Sequence, residues 1–464
     1  MSWLDVLLVA ACLTVAAWRI FARPRSRVVF GAAVAGLAAL AVAQFVVEGF
    51  YWQLTTGYLL IAVLAGLALF GGEPSTGLLK IAGELGLVAL ALIALAPWTL
   101  FYPVPYLTKP DGPYDVGTRI YRWVDESRGE DATDALGDKR NVIVQAWYPA
   151  AIDTRGTHSA YIDGLGRLPE SVSLFPGFMM AHYDRINTHG LNDAPVSGEK
   201  TSWPVVLFTP GYGAPRAFYT GLAAGLASRG YVVVAIDHPY DGAVTELASG
   251  TIATTREKHL DNDPHMQRFM RGRIDLRVED MRFVIDQLSL AEAIGAELGG
   301  KLDLTRIAAI GHSLGGASAA IAMDVDHRII AAANIDGTLY GAIPGEKMQR
   351  PFLLLDSDHG ESGHSVDNIA NNKLLLEHFG PGAYRYEMAR ANHFGFTDAP
   401  LFLAPPGRFA LSLLIGGGRG PTETQRATVD ILDAFLSAPL KGEPADVAAA
   451  AAKYKGVAGE LISQ

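Results

Sequence analysis

Hydrophobic positions along the chain fall into two regimes. Up to Leu100 they form four long apolar stretches, Leu4 to Trp18, Val28 to Val47, Leu54 to Phe70 and Leu78 to Leu100. Each approaches or reaches the roughly 20 residues that a helix needs to cross a bilayer. The pattern predicts a transmembrane helical region over residues 1–105. The first stretch is short, but it lacks the basic n-region and small-residue cleavage site of a removable signal, so it is read as a span. Beyond Pro103 and Pro105 the apolar runs shorten and are divided by Gly, Pro, Asn and Asp, the punctuation of a soluble domain.

In that second region strand-like and helix-like patterns alternate. Val142 to Tyr148, Val205 to Thr209, Tyr231 to Ile236, Arg306 to Ile310, Ile329 to Ile335, Phe352 to Leu355 and Tyr384 to Met388 read as strands. Phe218 to Arg229, Leu276 to Leu288, Leu314 to Met323, Ile369 to Phe379 and Thr424 to Leu436 carry helical spacing of apolar residues. Alternation of this kind predicts an α/β fold, a mostly parallel sheet with helices on both faces, over residues 106–440. Residues 441–464, which include the Ala-rich Ala445 to Ala452, are expected to form a helical tail. Sites in such sheets lie outside the carboxyl ends of the strands.

Charge adds orientation. Arg19, Arg23, Arg25 and Arg27 make the loop after the first stretch the most basic of the inter-helix loops, which places it in the cytoplasm and everything after Leu100 on the outer side. Aromatic residues near the span ends, among them Trp3, Trp18, Trp52 and Trp98, fit an interfacial belt. Lys80 and Glu84, one turn apart, read either as an intramembrane ion or proton site or, preferably, as an ion pair whose long side chains snorkel to the membrane surface. The net charge of −10 argues against a nucleic-acid partner. A single cysteine, Cys12, excludes an intrachain disulfide and reads as a packing residue.

The chemistry concentrates at Gly311-His312-Ser313-Leu314-Gly315, between a predicted strand and a small-residue helix start. With 50 glycines in 464 residues the pentapeptide alone is weak, and its flanks carry the reading of a nucleophile elbow. A serine hydroxyl needs a histidine base and an orienting acid. His393, directly beyond the last predicted strand, is the base candidate; His327, His359, His364 and His378 lie in loops or at element ends. Two acids compete, Asp336 at the end of one strand and Asp358 after the next, where Asp356 and Glu361 crowd the same loop. The amide of Leu314 and that of Tyr212, in Thr209-Pro210-Gly211-Tyr212-Gly213, are the expected oxyanion donors.

The soluble region resembles the plasma or secreted type of platelet-activating factor acetylhydrolase and its bacterial relatives, within the α/β-hydrolase superfamily. The resemblance rests on Gly112-Pro113-Tyr114-Asp115-Val116-Gly117-Thr118, Gln145-Ala146-Trp147-Tyr148-Pro149, Gly211-Tyr212-Gly213, Leu226-Ala227-Ser228-Arg229-Gly230-Tyr231 and the elbow, and spans Gly112 to Leu436. It implies Ser313, Asp336 and His393 as the catalytic set, no cofactor or metal, and a short or oxidised acyl group on a phospholipid as substrate. Pro210 departs from the family, which usually has histidine there.

The insertion over residues 238–272 reads either as a lid over an acyl pocket or as a solvated excursion. Arg271, Arg273, Arg277 and Arg282 either meet a lipid phosphate or pair with nearby acids. The expectation is a multi-pass membrane serine ester hydrolase with an extracytoplasmic catalytic domain and an ester or phospholipid substrate. A broad carboxylesterase or polyester hydrolase is the alternative, and a non-catalytic membrane sensor built on a hydrolase fold is a second.

Overall fold

A computed structural model describes residues 3–462 apart from 23–25, 72–76, 136, 173–174, 256–265, 341–346, 348, 363–365, 381 and 445. Arg23, Arg25, His259, His265 and His364 therefore lie outside the described residues. The chain divides into two compact units, Met1–Pro105 with Phe402–Leu411, and Tyr106–Leu401 with Ser412–Gln464.

The first unit holds helices α1 (Trp3–Ala17), α2 (Arg27–Glu48), α3 (Thr55–Phe70) and α4 (Leu78–Leu100). Among the described residues, four helical segments are long and apolar enough to cross a membrane: Trp3–Ala22, Arg27–Glu48, Trp52–Phe70 and Lys80–Leu100. Leu8, Cys12, Phe30, Val34, Leu60 and Leu64 pack inward, with Cys12 buried among them. Val28 and Phe70 are more than four-fifths exposed and give the helices an outward apolar surface. One polar group is built into the interior: Gln44 Nε2 donates to Asp5 Oδ1 at 3.0 Å, and the Tyr58 hydroxyl donates to Gln44 Oε1 at 2.5 Å. The Phe402–Leu411 segment joins this unit through Ala404 N–H to Leu100 C=O at 2.9 Å and Tyr102 N–H to Phe402 C=O at 2.9 Å. Reading 106–440 as one uninterrupted domain missed this, because backbone pairing between distant segments leaves no periodicity to read.

The second unit is built on one sheet of ten strands: β1 (Asp115–Gly129), β2 (Lys139–Ala150), β3 (Gly190–Asn192), β4 (Trp203–Thr209), β5 (Val232–Asp237), β6 (Leu302–His312), β7 (Ile329–Ile335), β8 (Phe352–Ser357), β9 (Ala383–Met388) and β10 (Val457–Leu461). Their spatial order is β10-β9-β8-β7-β6-β4-β5-β2-β1-β3. β5, β4, β6, β7, β8 and β9 run parallel, while β2 is antiparallel to β5 and β10 to β9. The helices are α5 (Thr220–Ala227), α6 (Met266–Leu288), α7 (Ala291–Gly299), α8 (Leu314–Val325), α9 (His359–Ser362), α10 (Val366–Phe379), α12 (Pro421–Leu436) and α13 (Val447–Ala452); α11 (Pro405–Ile415) lies mostly in the Phe402–Leu411 segment of the first unit.

Continuous apolar runs in the central strands bury both faces, as a covered parallel sheet requires. Within β4, Val205 and Leu207 join the core beneath α6 and α8, whereas Val206 and Phe208 join the core beneath α5 and α12. The period of two decides which residue goes to which side.

Three expectations need correction. Residues 441–464 are not a purely helical tail: α13 is followed by the edge strand β10, whose Val457–Leu461 pairs with β9. That strand is too short to signal itself, and it pairs along the edge of β9. α6 begins at Met266, well before the expected Leu276, so the described end of the 238–272 insertion is helix. β1 was not anticipated, because its Arg, Asp, Glu and Ser positions break the apolar pattern on a half-exposed strand near the sheet edge.

Candidate active site

Ser313 follows the end of β6 and precedes the first residue of α8. Its backbone sits at φ 57°, ψ −127°, a region that non-glycine residues rarely adopt. The glycines of the elbow explain how the turn closes. A Cβ at Gly311 would lie 2.4 Å from the Gly315 carbonyl carbon, and one at Gly315 would lie 2.0 Å from the Thr209 carbonyl oxygen. A Cβ at Gly337 would lie 2.1 Å from the Ser313 carbonyl oxygen, so the turn after β7 also closes directly against the serine. The Ser313 amide donates to the Ile335 carbonyl at 2.8 Å, tying the elbow to β7.

Parallel pairing of β6, β7 and β8 brings the candidate acid to the same sheet end. Asp336, at φ 53°, follows β7 directly. Its Oδ1 accepts the Ser357 amide at 2.7 Å, and Asp336 Oδ2 lies 2.6 Å from His393 Nδ1. The Asp336 carboxylate is fully buried, whereas the His393 ring is 35% exposed. A buried acid at that distance holds the Nδ1–H tautomer and leaves Nε2 as the proton acceptor.

Asp358, the alternative acid, is placed elsewhere. Its carboxylate accepts the amides of Gly360 at 2.9 Å, Glu361 at 3.3 Å and Arg390 at 2.8 Å, which hold it below the usual carboxylate range, the Arg390 amide foremost. It caps α9 and pins the loop before His393. The other described base candidates that follow the elbow are engaged elsewhere: His378 with Asp324, His327 with Arg350, and His359 with Asp356.

On the oxyanion side, Leu314 is the first residue of α8, so its amide belongs to the turn that has no intrahelical acceptor. Around Tyr212 the neighbouring amides are committed: Gly211 to the Tyr219 hydroxyl at 3.0 Å, Gly213 to the Asp241 carbonyl at 3.0 Å and Ala214 to the Gly211 carbonyl at 3.3 Å. The Pro210 carbonyl accepts from Arg277 Nη1, and Arg277 Nε donates to Asp241 at 3.1 Å. Pro210 therefore stands in a loop clamped by a buried ion pair. Phe269 of α6 meets the Tyr212 ring edge-on at 5.8 Å. The arginines of this region pair with acids: Arg271 with Asp275, Arg273 and Arg277 with Asp241, and Arg282 with Asp326.

Two buried polar residues escaped the sequence reading. His312, 3% exposed, has Nδ1 at 2.8 Å from the Tyr219 hydroxyl and Nε2 at 3.0 Å from the His393 carbonyl. Burial, then the neighbouring His393, draws its pKa down to about 3. The residue was hidden in the variable position of the pentapeptide; a polar side chain at the end of an otherwise buried strand was the available signal. The second is Asp398, fully buried, accepting from Gln425 at 2.9 Å and from Tyr161 at 3.3 Å. One potential ligand atom each from His312, Asp336 and His393 falls within a 4.8 Å cluster, the spacing of a small metal site. Both His312 nitrogens and His393 Nδ1 are already hydrogen-bonded within the protein.

Comparison with known proteins matches this architecture. A model of the alpha/beta hydrolase family covers residues 206–455, more than half of the chain. The chain belongs to the alpha/beta hydrolase family. Within that family the chain is similar to the platelet-activating factor acetylhydrolases: the model of platelet-activating factor acetylhydrolase, isoform II, matches residues 105–270. A probable 1-alkyl-2-acetylglycerophosphocholine esterase of Arthroderma benhamiae is 31% identical over 216 residues, 44% of this chain and 51% of the relative. The platelet-activating factor acetylhydrolase of Cavia porcellus is 23% identical over 296 residues, 57% of this chain and 63% of the relative. The chain thus spans between half and two thirds of the length of these relatives. Among solved structures, a ferulic acid esterase from Streptomyces cinnamoneus aligns with TM-score 0.62 at 28% identity, covering 73% of this chain and 94% of that one.

Proposed function

We propose that this chain is a membrane-anchored serine ester hydrolase acting on short-acyl or oxidised phospholipid esters. The observation that carries the reading is the 2.6 Å contact of His393 Nδ1 with the buried Asp336 at the sheet end that bears the strained Ser313 elbow. In this reading Ser313 Oγ attacks the ester carbonyl as His393 Nε2 takes its proton. The amides of Leu314 and Tyr212 receive the oxyanion, each worth on the order of 3 kcal/mol in the transition state. His393 then returns the proton to the leaving alcohol, leaving an acyl-serine. Water, deprotonated by the same imidazole, releases the acid and restores the serine. Asp336 stabilises the imidazolium at each stage.

The phospholipid assignment draws on the similarity to the acetylhydrolases and on the four apolar helices, which would hold the chain where lipid esters are concentrated. A second reading, a broader carboxylesterase, is favoured by the near-complete coverage of the ferulic acid esterase. The test is fluorophosphonate labelling in isolated membranes with Ser313→Ala as control, followed by hydrolysis of a series of esters of increasing acyl length that includes a phospholipid with a short second chain. An unlabelled parent chain would remove the esterase reading; equal turnover of bulky aromatic esters and short-acyl phospholipid would favour the broader one. An extracytoplasmic catalytic domain, argued from Arg19 and Arg27 with Arg23 and Arg25, is tested by a reporter fused after Leu100; activity confined to the cytoplasm overturns it.

A further inference from the structure

The hydrogen bonds around His312 have a single consistent direction. The His393 carbonyl only accepts, so His312 Nε2, 3.0 Å away, carries the proton. His312 is held neutral by its burial, which leaves Nδ1 as an acceptor. The Tyr219 hydroxyl, 2.8 Å from Nδ1, must therefore donate to it. The Tyr219 oxygen in turn accepts the Gly211 amide at 3.0 Å. The chain runs Gly211 N–H to Tyr219, Tyr219 to His312, and His312 to the backbone of His393. Its ends are the loop that carries Tyr212 and the residue that carries the base. Tyr219 and His312 are 1% and 3% exposed, so water offers neither an easy alternative partner. The two imidazole rings lie 4.5 Å apart between centroids, and Phe396 flanks His312 at 5.8 Å.

We infer that Tyr219 and His312 are positioning residues that lock the oxyanion loop and the base to each other, so that the Gly211–Tyr212 peptide and the His393 imidazole keep one mutual orientation through the reaction. Neither touches the reacting atoms. Two loops far apart in sequence are held by one directed chain, and cutting it at either member releases both. A neutral His312 also matters chemically. When His393 becomes an imidazolium, a second cation at this distance would oppose it, and a protonated Nδ1 would turn the Tyr219 hydroxyl away.

The inference rests on the esterase reading, and the experiment separates the two. kcat and KM for p-nitrophenyl acetate are measured on the full chain in detergent for the parent, Ser313→Ala, Tyr219→Phe, His312→Leu, His312→Gln and the Tyr219→Phe/His312→Leu double variant. Tyr219→Phe keeps the ring and its packing, so its thermal midpoint serves as the folding control. The expected result is a fall in kcat of roughly tenfold to a hundredfold in Tyr219→Phe and His312→Leu, with KM within about threefold. The double variant falls no further than the weaker single, because one chain is cut once or twice. His312→Gln, whose amide offers both a donor and an acceptor, recovers part of the loss. The inference is overturned by a Tyr219→Phe kcat within twofold of the parent, by losses that multiply in the double variant, by a change confined to KM, or by His312→Gln no better than His312→Leu. A parent chain no more active than Ser313→Ala overturns the esterase reading and this inference with it; an active parent with unaffected variants overturns the inference alone.

Discussion

Replacing Asp336 by Asn tests the assignment of the acid. The Asn oxygen can still accept the Ser357 amide that Asp336 Oδ1 takes at 2.7 Å, so the turn after β7 keeps its anchor. What changes is the atom facing His393 Nδ1 at 2.6 Å, which becomes an amide donor. Two donors cannot share that contact, so the imidazole moves its proton to Nε2 and no longer accepts from Ser313. The imidazolium also loses a fully buried negative partner. A wrong tautomer of this kind costs about 10⁴ in kcat, or on the order of 5 kcal/mol at about 1.4 kcal/mol per decade. Asp358→Asn is the matched control: its oxygen can keep the Gly360 and Glu361 amides, but the amide nitrogen can no longer accept from Arg390, which should cost about 1 kcal/mol of stability, with kcat within about threefold. The assay is steady-state hydrolysis of p-nitrophenyl acetate beside thermal melts of both variants. An Asp336→Asn enzyme within tenfold of the parent, or a collapse in Asp358→Asn alone, would refute the reasoning.

Four further outcomes are expected. Gly315→Ala drives a Cβ to 2.0 Å from the Thr209 oxygen and 2.5 Å from the Pro210 oxygen, backbone atoms that cannot yield, so a loss of more than about 3 kcal/mol should appear in melts. Gly272→Ala on α6 meets nothing within 4 Å and should be neutral or stabilising by up to about 1 kcal/mol. Arg277→Met should cost about 3–5 kcal/mol in melts by leaving Asp241 buried with its main partner gone, and adding Asp241→Asn should restore part of it. Burial lifts the Asp398 carboxyl to about 7, against about 3.9 in an unfolded chain. Between those values the folded chain binds a proton that the unfolded chain releases, so Asp398 makes stability fall as pH rises across about pH 4 to 7, by up to about 4 kcal/mol. His238, drawn down to about 4 chiefly by burial, acts with the opposite sign. The readout is therefore the difference in denaturation midpoint between parent and Asp398→Asn, and a difference that does not change with pH would refute the assignment.

Much of the site was legible before any coordinates. The elbow announces itself because its backbone demands glycine on both sides of Ser313, and steric demands of that kind are written directly in residue identity. His393 stood out as the histidine directly beyond the last parallel strand, and the order Ser, Asp, His follows from strands laid down in sequence. Choosing Asp336 over Asp358 was harder, since both end neighbouring strands and only the direction of each carboxylate separates them. Asp336 sits in a left-handed turn aimed at His393, whereas Asp358 is turned back onto the amides of its own loop and of Arg390.

The periodicity of the sequence was enough to set apart four apolar helices from an alternating α/β region, because burial acts residue by residue through local spacing. It was silent on β10, on the Phe402–Leu411 segment packed with the first unit, and on the chain from Gly211 through Tyr219 and His312 to His393. These are pairings between segments far apart in the chain. Whether a polar group finds its partner depends on the register and packing of the whole sheet, and only the tertiary structure supplies that.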